Sequence, residues 1–233
     1  MPTPTAYLKN GALRAIEPAI SVLARHNVNP NAITTVGTLL TVAAGVVYAT
    51  GHIMTAGWVM AVTAFFDVVD GEVARRTGRS TVFGAFYDST LDRVADGALM
   101  AGLTVFYATN PVHHNVYMMV VCLLGIIGTF LVSYTRARAE SLGIDAKVGV
   151  MQRPERIVLL SAPQALFGLF WNGWVLIGIV VLLTVTAWIT AVQLIAFVHG
   201  FTRHLDAKPI RRINDSTSAP KPAGISGTRR AQS

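Results

Sequence analysis

Residues 67–92 read DVVDGEVARRTGRSTVFGAFYDSTLD, and the rest of the chain is organised around them. They hold Asp67, Asp70, Asp88 and Asp92 between nearly uncharged runs at 58–66 and 97–106. Half of the chain's 12 acids fall between Asp67 and Asp96, so acidity is concentrated where the flanks are most apolar. An acid near a bilayer core costs roughly 2.5–3.5 kcal/mol on insertion scales, so such acids are rare and usually functional. A solvated acidic helix face is the ordinary explanation of paired acids, but these flanks do not suit it.

The spacing is specific. Asp67 and Asp70 are i,i+3, and Asp88 and Asp92 are i,i+4, so each pair shares a helix face. Gly71 follows the first pair and Gly84 precedes the second, each permitting close approach of a backbone or ligand. Carboxylates from two adjacent helices suit hard cations, Mg2+ or Mn2+. Two ions about 4 Å apart would clamp a phosphoryl group.

The 233 residues are 52% hydrophobic and 13% charged, which excludes an ordinary soluble domain. The net charge of +7 raises the question of nucleic acid. However, the basic residues sit at the ends of apolar runs, which favours anionic lipid and phosphorylated substrates over nucleic acid. The single Cys122 excludes an internal disulfide and, inside an apolar run, should pack as a small hydrophobe. No cleavable signal peptide is evident.

Residues 1–31 read as an amphipathic juxtamembrane segment. Leu13, Ile16, Ile20 and Leu23 form a helical stripe over 7–26, with Pro18 a bend, predicting a helix on the membrane surface. Packing on the bundle is the alternative. Pro30 and Asn31 mark a helix start. Residues 32–200 predict an all-α membrane domain of six transmembrane helices, at about 32–49, 55–70, 82–108, 115–134, 157–171 and 175–198. Pro163 should kink the fifth. Gly97 and Ala101 form a small-xxx-small pair for close helix contact. Residues 201–233 read as a disordered basic cytoplasmic tail. The loops at 75–79 and 136–156 are basic, while those at 51–55, 110–115 and 172–173 carry no Lys or Arg. The positive-inside rule then predicts a multi-pass cell-membrane protein with both termini and the acids cytoplasmic. His113 and His114 fall in an outer loop and read as solvated. Trp171 and Trp174 read as interfacial anchors. Asp96 is expected either to orient Asp92 or Arg93 or to form a buried ion pair.

Asp67, Asp70, Gly71, Ala74, Arg75, Gly84, Asp88 and Asp92 meet every fixed position of D-x2-D-G-x2-A-R-x8-G-x3-D-x3-D. With these residues the chain resembles the CDP-alcohol phosphotransferase family over about 7–200. Through SYTRARAESLG at 133–143, QRPER at 152–156 and DSTLDRVADG at 88–97, it is most similar to the actinobacterial phosphatidylinositol phosphate synthases. The resemblance implies transfer of a phosphatidyl group from CDP-diacylglycerol to an inositol phosphate, with release of CMP. It implies two Mg2+ (or Mn2+) ions on Asp67, Asp70, Asp88 and Asp92, with Asp92 also the general base. It implies CDP-lipid binding by Asn31, Ala32, Ile33, Thr34, Gly71, Arg75 and Thr81, and a homodimer in membrane lipids. Arg136, Arg153 and Arg156 are the candidates for the acceptor phosphate, since a guanidinium is shaped for phosphate. Arg136 stands where similar enzymes often have Lys, and Leu194 where a basic residue is expected. Glycerol 3-phosphate or another sugar or polyol phosphate therefore stays open as acceptor. A membrane cation transporter is the competing class, and it predicts midplane acids and paired interrupted helices.

Overall fold

The computed structural model describes residues 17–79, 81–146, 148–151 and 153–203, with the side chain of Arg153 outside that description. All regular structure among the described residues is helical. A helix over residues 17–25 (α1) precedes α2 (Pro30–Ala49), α3 (Ile53–Arg76), α4 (Val82–Thr109), α5 (Val116–Ser141) and α6 (Arg153–Phe167). A 3-10 turn, Phe170–Gly173, leads into α7 (Trp174–Thr202). Side-chain caps set several starts. Asn29 accepts from the Asn31 amide ahead of Pro30, Thr81 from that of Gly84, and Asn115 from that of Met118. Each satisfies a backbone donor that a first turn leaves open.

Four segments are long and apolar enough to cross a membrane: α2, α3, α5 and the stretch Phe170–Thr202. The two remaining expected spans differ for physical reasons. Helix α4 is 28 residues long but carries Asp88, Asp92, Arg93 and Asp96. Helix α6 has 15 residues, about 22 Å at helical rise, short of a hydrocarbon core of roughly 30 Å. The fifth span was expected to reach 171. It stops at Phe167 because Gly168 turns left-handed at φ +52°, its amide still donating to Gln164 O at 2.9 Å.

Helices α3 and α4 both pack on α2, with α6 on α3 and α5 on α4. Glycines permit the closest crossings. A Cβ on Gly45 would lie 2.6 Å from Ala98 O, and one on Gly102 would collide with Gly45 O. The small-residue seam of α4 is therefore Ala98 and Gly102. The expected pair is displaced from it by one residue: Gly97 faces Phe130 and Ala101 is exposed. One residue is a 100° rotation, which takes Gly97 off the α2 contact and onto Phe130 of α5, 3.2 Å from where its Cβ would lie. The main core gathers Tyr48, Ile53, Met60, Leu103, Phe106, Leu176 and the free, fully buried Cys122. The Tyr48 hydroxyl donates to Leu160 O at 2.7 Å.

Ile20 is buried with Ile33, Val69 and Val73, and Leu23 packs on the same cluster. Arg76 donates to both carboxylate oxygens of Glu17, at 2.6 and 2.7 Å. The described part of the N-terminal stripe is thus spent on α2 and α3, the alternative to lying on lipid. Leu13 and Ile16 lie outside the described residues, as does the predicted tail from residue 204 onward.

Candidate functional site

The start of α2, the end of α3 and the start of α4 enclose a cavity of about 220 Å³. Helix α2 contributes Asn31 and Thr34, one turn apart on one face. Helix α3 contributes Asp70, Gly71 and Arg75, and α4 contributes Gly84 and Asp88, with Arg79 and Thr81 from the loop between them. The cavity therefore sits at the motif and gathers acids, cations and hydroxyls.

Asp70 is 8% exposed, and its Oδ2 accepts from Thr34 Oγ1 at 2.7 Å. The charges of Asp88 and Asp67 both act on it unfavourably, so each lies within electrostatic reach of Asp70. A Cβ on Gly71 would meet nothing nearer than Arg75 Nη1 at 3.6 Å, which leaves the backbone open to a ligand. A Cβ on Gly84 would lie 3.1 Å from Thr81 Oγ1 and 3.4 Å from Asn31 Oδ1, so α4 approaches α2 closely here. Arg75 is mostly exposed and pairs with Glu72 at 2.6 Å. An exposed pair of this kind is worth under about 1 kcal/mol, so a phosphate can compete for the guanidinium. Arg79 donates to Asn27 O at 3.0 Å.

The expected four-carboxylate constellation is not assembled in full. Among the described residues, no three His, Cys, Asp or Glu side chains stand together as a ready-made metal-holding group. Asp70 and Asp88 line the cavity, while Asp67 and Asp92 do not. Like charges repel, so rotamers that part the carboxylates are favoured. Asp67 lies on the side of Gly37, and Asp92 is 3.8 Å from Arg93 Nη1. The donor chemistry nevertheless fits a hard divalent cation: carboxylates with a hydroxyl beside them, and neither thiol nor imidazole in the lining.

Of the expected CDP-lipid residues, Asn31, Thr34, Gly71, Arg75 and Thr81 share this cavity; Ala32 and Ile33 do not. Helical rotation explains the split. Ile33 turns into the cluster with Ile20, Val69 and Val73, and Ala32 faces outward. Arg79, known from sequence only as a loop cation, is an additional lining residue.

Of the acceptor candidates, Arg136 and Arg156 do not line this cavity. Arg156 Nη1 donates to Asp96 Oδ2 at 3.2 Å, so Asp96 forms an ion pair with Arg156. Arg156 and Thr129 line two small cavities of about 20 and 10 Å³. Arg136 Nη2 donates to Val148 O at 3.1 Å. The Nε atoms of both arginines are buried without a hydrogen-bond partner among the described residues. The Arg153 side chain lies outside the description. Leu194 is fully buried in a hydrophobic cluster with Ala139, Ile144 and Ala146. His113 is half-buried, with its ring 5.9 Å from that of Phe106, whereas His114 is exposed. They line a separate cavity with Asn115 and Trp174 at the other end of α4.

Residues 27–195 match the family model described as CDP-alcohol phosphatidyltransferase. The chain is 39% identical over 166 residues to the archaetidylinositol phosphate synthase of Methanothermobacter thermautotrophicus, covering 71% of this chain and 80% of that protein. It is 38% identical over 188 residues to the phosphatidylinositol phosphate synthase of Streptomyces avermitilis, covering 80% and 75%. Among solved structures, Mycobacterium tuberculosis phosphatidylinositol phosphate synthase with CDP-DAG bound superposes with a TM-score of 0.72 at 30% identity, covering 80% of this chain and 94% of that one. The same enzyme in complex with manganese and citrate gives a TM-score of 0.70, covering 78% and 87%.

Proposed function

The chain belongs to the CDP-alcohol phosphatidyltransferase family, and we propose that it transfers the phosphatidyl group of CDP-diacylglycerol to an inositol phosphate, releasing CMP. The observation that carries this is the motif cavity, whose lining brings together Asp70 and Asp88, Arg75 and Arg79, and Asn31, Thr34 and Thr81. Acids for cations and guanidiniums for phosphates are what a pyrophosphate needs.

In the proposed reaction, the acceptor oxygen forms a bond to the lipid-side phosphorus. The bond from that phosphorus to the CMP oxygen breaks. The hydroxyl proton passes to Asp92, and CMP leaves with the electron pair. Asp67, Asp70, Asp88 and Asp92 would hold two divalent ions, Mg2+ or Mn2+, which supply charge neutralisation for the pyrophosphate and the leaving phosphate. Asn31 and Thr81 offer polar contacts to the nucleotide. Gly71 allows its close approach, and Arg75 presents a forked donor to phosphate. Arg136, Arg153 and Arg156 bind the acceptor phosphate. The basic loops at 75–79 and 136–156, set against loops without Lys or Arg at 51–55, 110–115 and 172–173, support six crossings, α4 keeping its charges in its first half and α6 being completed by the turn through Gly173, with both termini and the cavity on the cytoplasmic side of the cell membrane. The homodimer is carried over from the family resemblance alone.

Leu194 favours keeping a second acceptor class, because an apolar residue buried there offers no charge to a phosphate. Glycerol 3-phosphate and other polyol phosphates therefore belong in the test. A cation transporter is disfavoured by the continuity of the two acid-bearing helices, α3 and α4. Purified protein supplied with CDP-diacylglycerol, Mg2+ and each acceptor in turn tests the proposal through CMP release. Inositol phosphate is expected to support the fastest release.

A further inference from the structure

Thr34 Oγ1 carries one proton and has two acceptors in reach. One is Pro30 O, a turn back in α2, at 3.2 Å; the other is Asp70 Oδ2, in α3, at 2.7 Å. The shorter bond to the charged acceptor is the stronger. The next residue makes a parallel link to the other acid helix: Thr35 Oγ1 lies 2.9 Å from Tyr87 Oη, immediately before Asp88. Two consecutive hydroxyls of α2 thus tie down both acid-bearing helices.

Asp70 needs such a tie. It is nearly buried, and Asp67 and Asp88 both repel it. A carboxylate so placed would be driven to the rotamer farthest from its neighbours. A bond to Oδ2 restrains the carboxylate together with the adjacent Gly71 amide, and the other lone pairs stay available to a cation. Partners of this kind orient metal-binding carboxylates generally.

We infer that Thr34 is a positioning residue for Asp70, presenting its carboxylate to a divalent cation in addition to bordering the nucleotide cavity. The inference rests on the proposed metal role of Asp70. Without the Thr34 proton, Asp70 adopts other rotamers and the cation is held less tightly, whether or not nucleotide is present.

The test is Mn2+ titration of the full chain in detergent, without CDP-lipid, read by electron paramagnetic resonance. Thr34→Val keeps the shape and removes the donor; it should weaken Mn2+ binding about tenfold or more, whereas Thr34→Ser should stay within about twofold of wild type. Asp70→Asn provides the reference for loss of the carboxylate. Thermal unfolding of each variant identifies folded protein, and Thr34→Ala replaces the valine variant if the latter is not recovered. Wild-type affinity in the folded valine or alanine variant would overturn the inference, as would a serine variant as weak as the valine one. Absence of Mn2+ binding in wild type would instead overturn the metal reading, and this inference with it.

Discussion

Arg156 on α6 donates to Asp96 on α4 across 60 residues of chain, at 3.2 Å, with both side chains about four-fifths buried. The bond anchors the arginine proposed for the acceptor phosphate to the helix that bears Asp88 and Asp92.

Removing Asp96 takes the carboxylate partner from a largely buried guanidinium. A fully buried pair broken in this way costs about 3–5 kcal/mol, and partial exposure of both groups reduces this to roughly 1–3 kcal/mol. Asp96→Asn should therefore lower the unfolding temperature and raise the acceptor KM. Arg156→Ala should raise the acceptor KM more than the CDP-lipid KM. Equal effects on both substrates would remove Arg156 from the acceptor site.

Asp92→Asn should abolish turnover and leave CDP-lipid binding largely intact, because the amide cannot take the acceptor's proton. Binding of a labelled CDP-lipid alongside a CMP-release assay separates the two effects. Full activity in this variant would reject the general-base role.

Gly102→Val should prevent normal assembly of the bundle. The added atoms would have to occupy the space of Gly45 O, which is backbone and cannot swing aside. Overpacking typically costs about 1–3 kcal/mol and more where backbone must move. Ala101→Val, one position away on an exposed surface, should be nearly silent in the same unfolding measurement.

That contrast shows what the sequence carried. The acids, both glycines of the motif and Arg75 were legible because their spacing is fixed along the chain, whereas Asn31, Thr34 and Thr81 were expected only through the family resemblance. The uncharged runs were legible because lipid demands length. The rotation of a helix about its own axis was not, so Gly97 and Ala101 were expected where Ala98 and Gly102 make the contact, and Ile33 was expected at a cavity it turns away from. The partner of Asp96 was equally hidden, since nothing local links it to a residue 60 positions on. The early end of α6 depends on the left-handed turn at Gly168, whose conformation only the folded chain reveals.

The bond from Arg76 holds the Glu17 carboxyl below its usual range. A carboxyl with a depressed folded-state value contributes stability above its unfolded value, about 4.3, and loses that contribution as pH falls through the folded value. Unfolding of wild type and Glu17→Gln should therefore differ near neutral pH, and the difference should shrink on acidification below that value. A gap independent of pH would show that the ion pair does not hold α1 to α3.

The most direct measurement is CMP release by the purified full chain from CDP-diacylglycerol, with the divalent cation and the acceptor varied separately. Release that needs both Mg2+ or Mn2+ and an inositol phosphate, and that is lost in Asp70→Asn and Asp88→Asn, is the expected outcome. Release unaffected by chelator or by those substitutions, or none with any acceptor, would contradict a metal-dependent phosphatidyl transfer at the aspartate cavity.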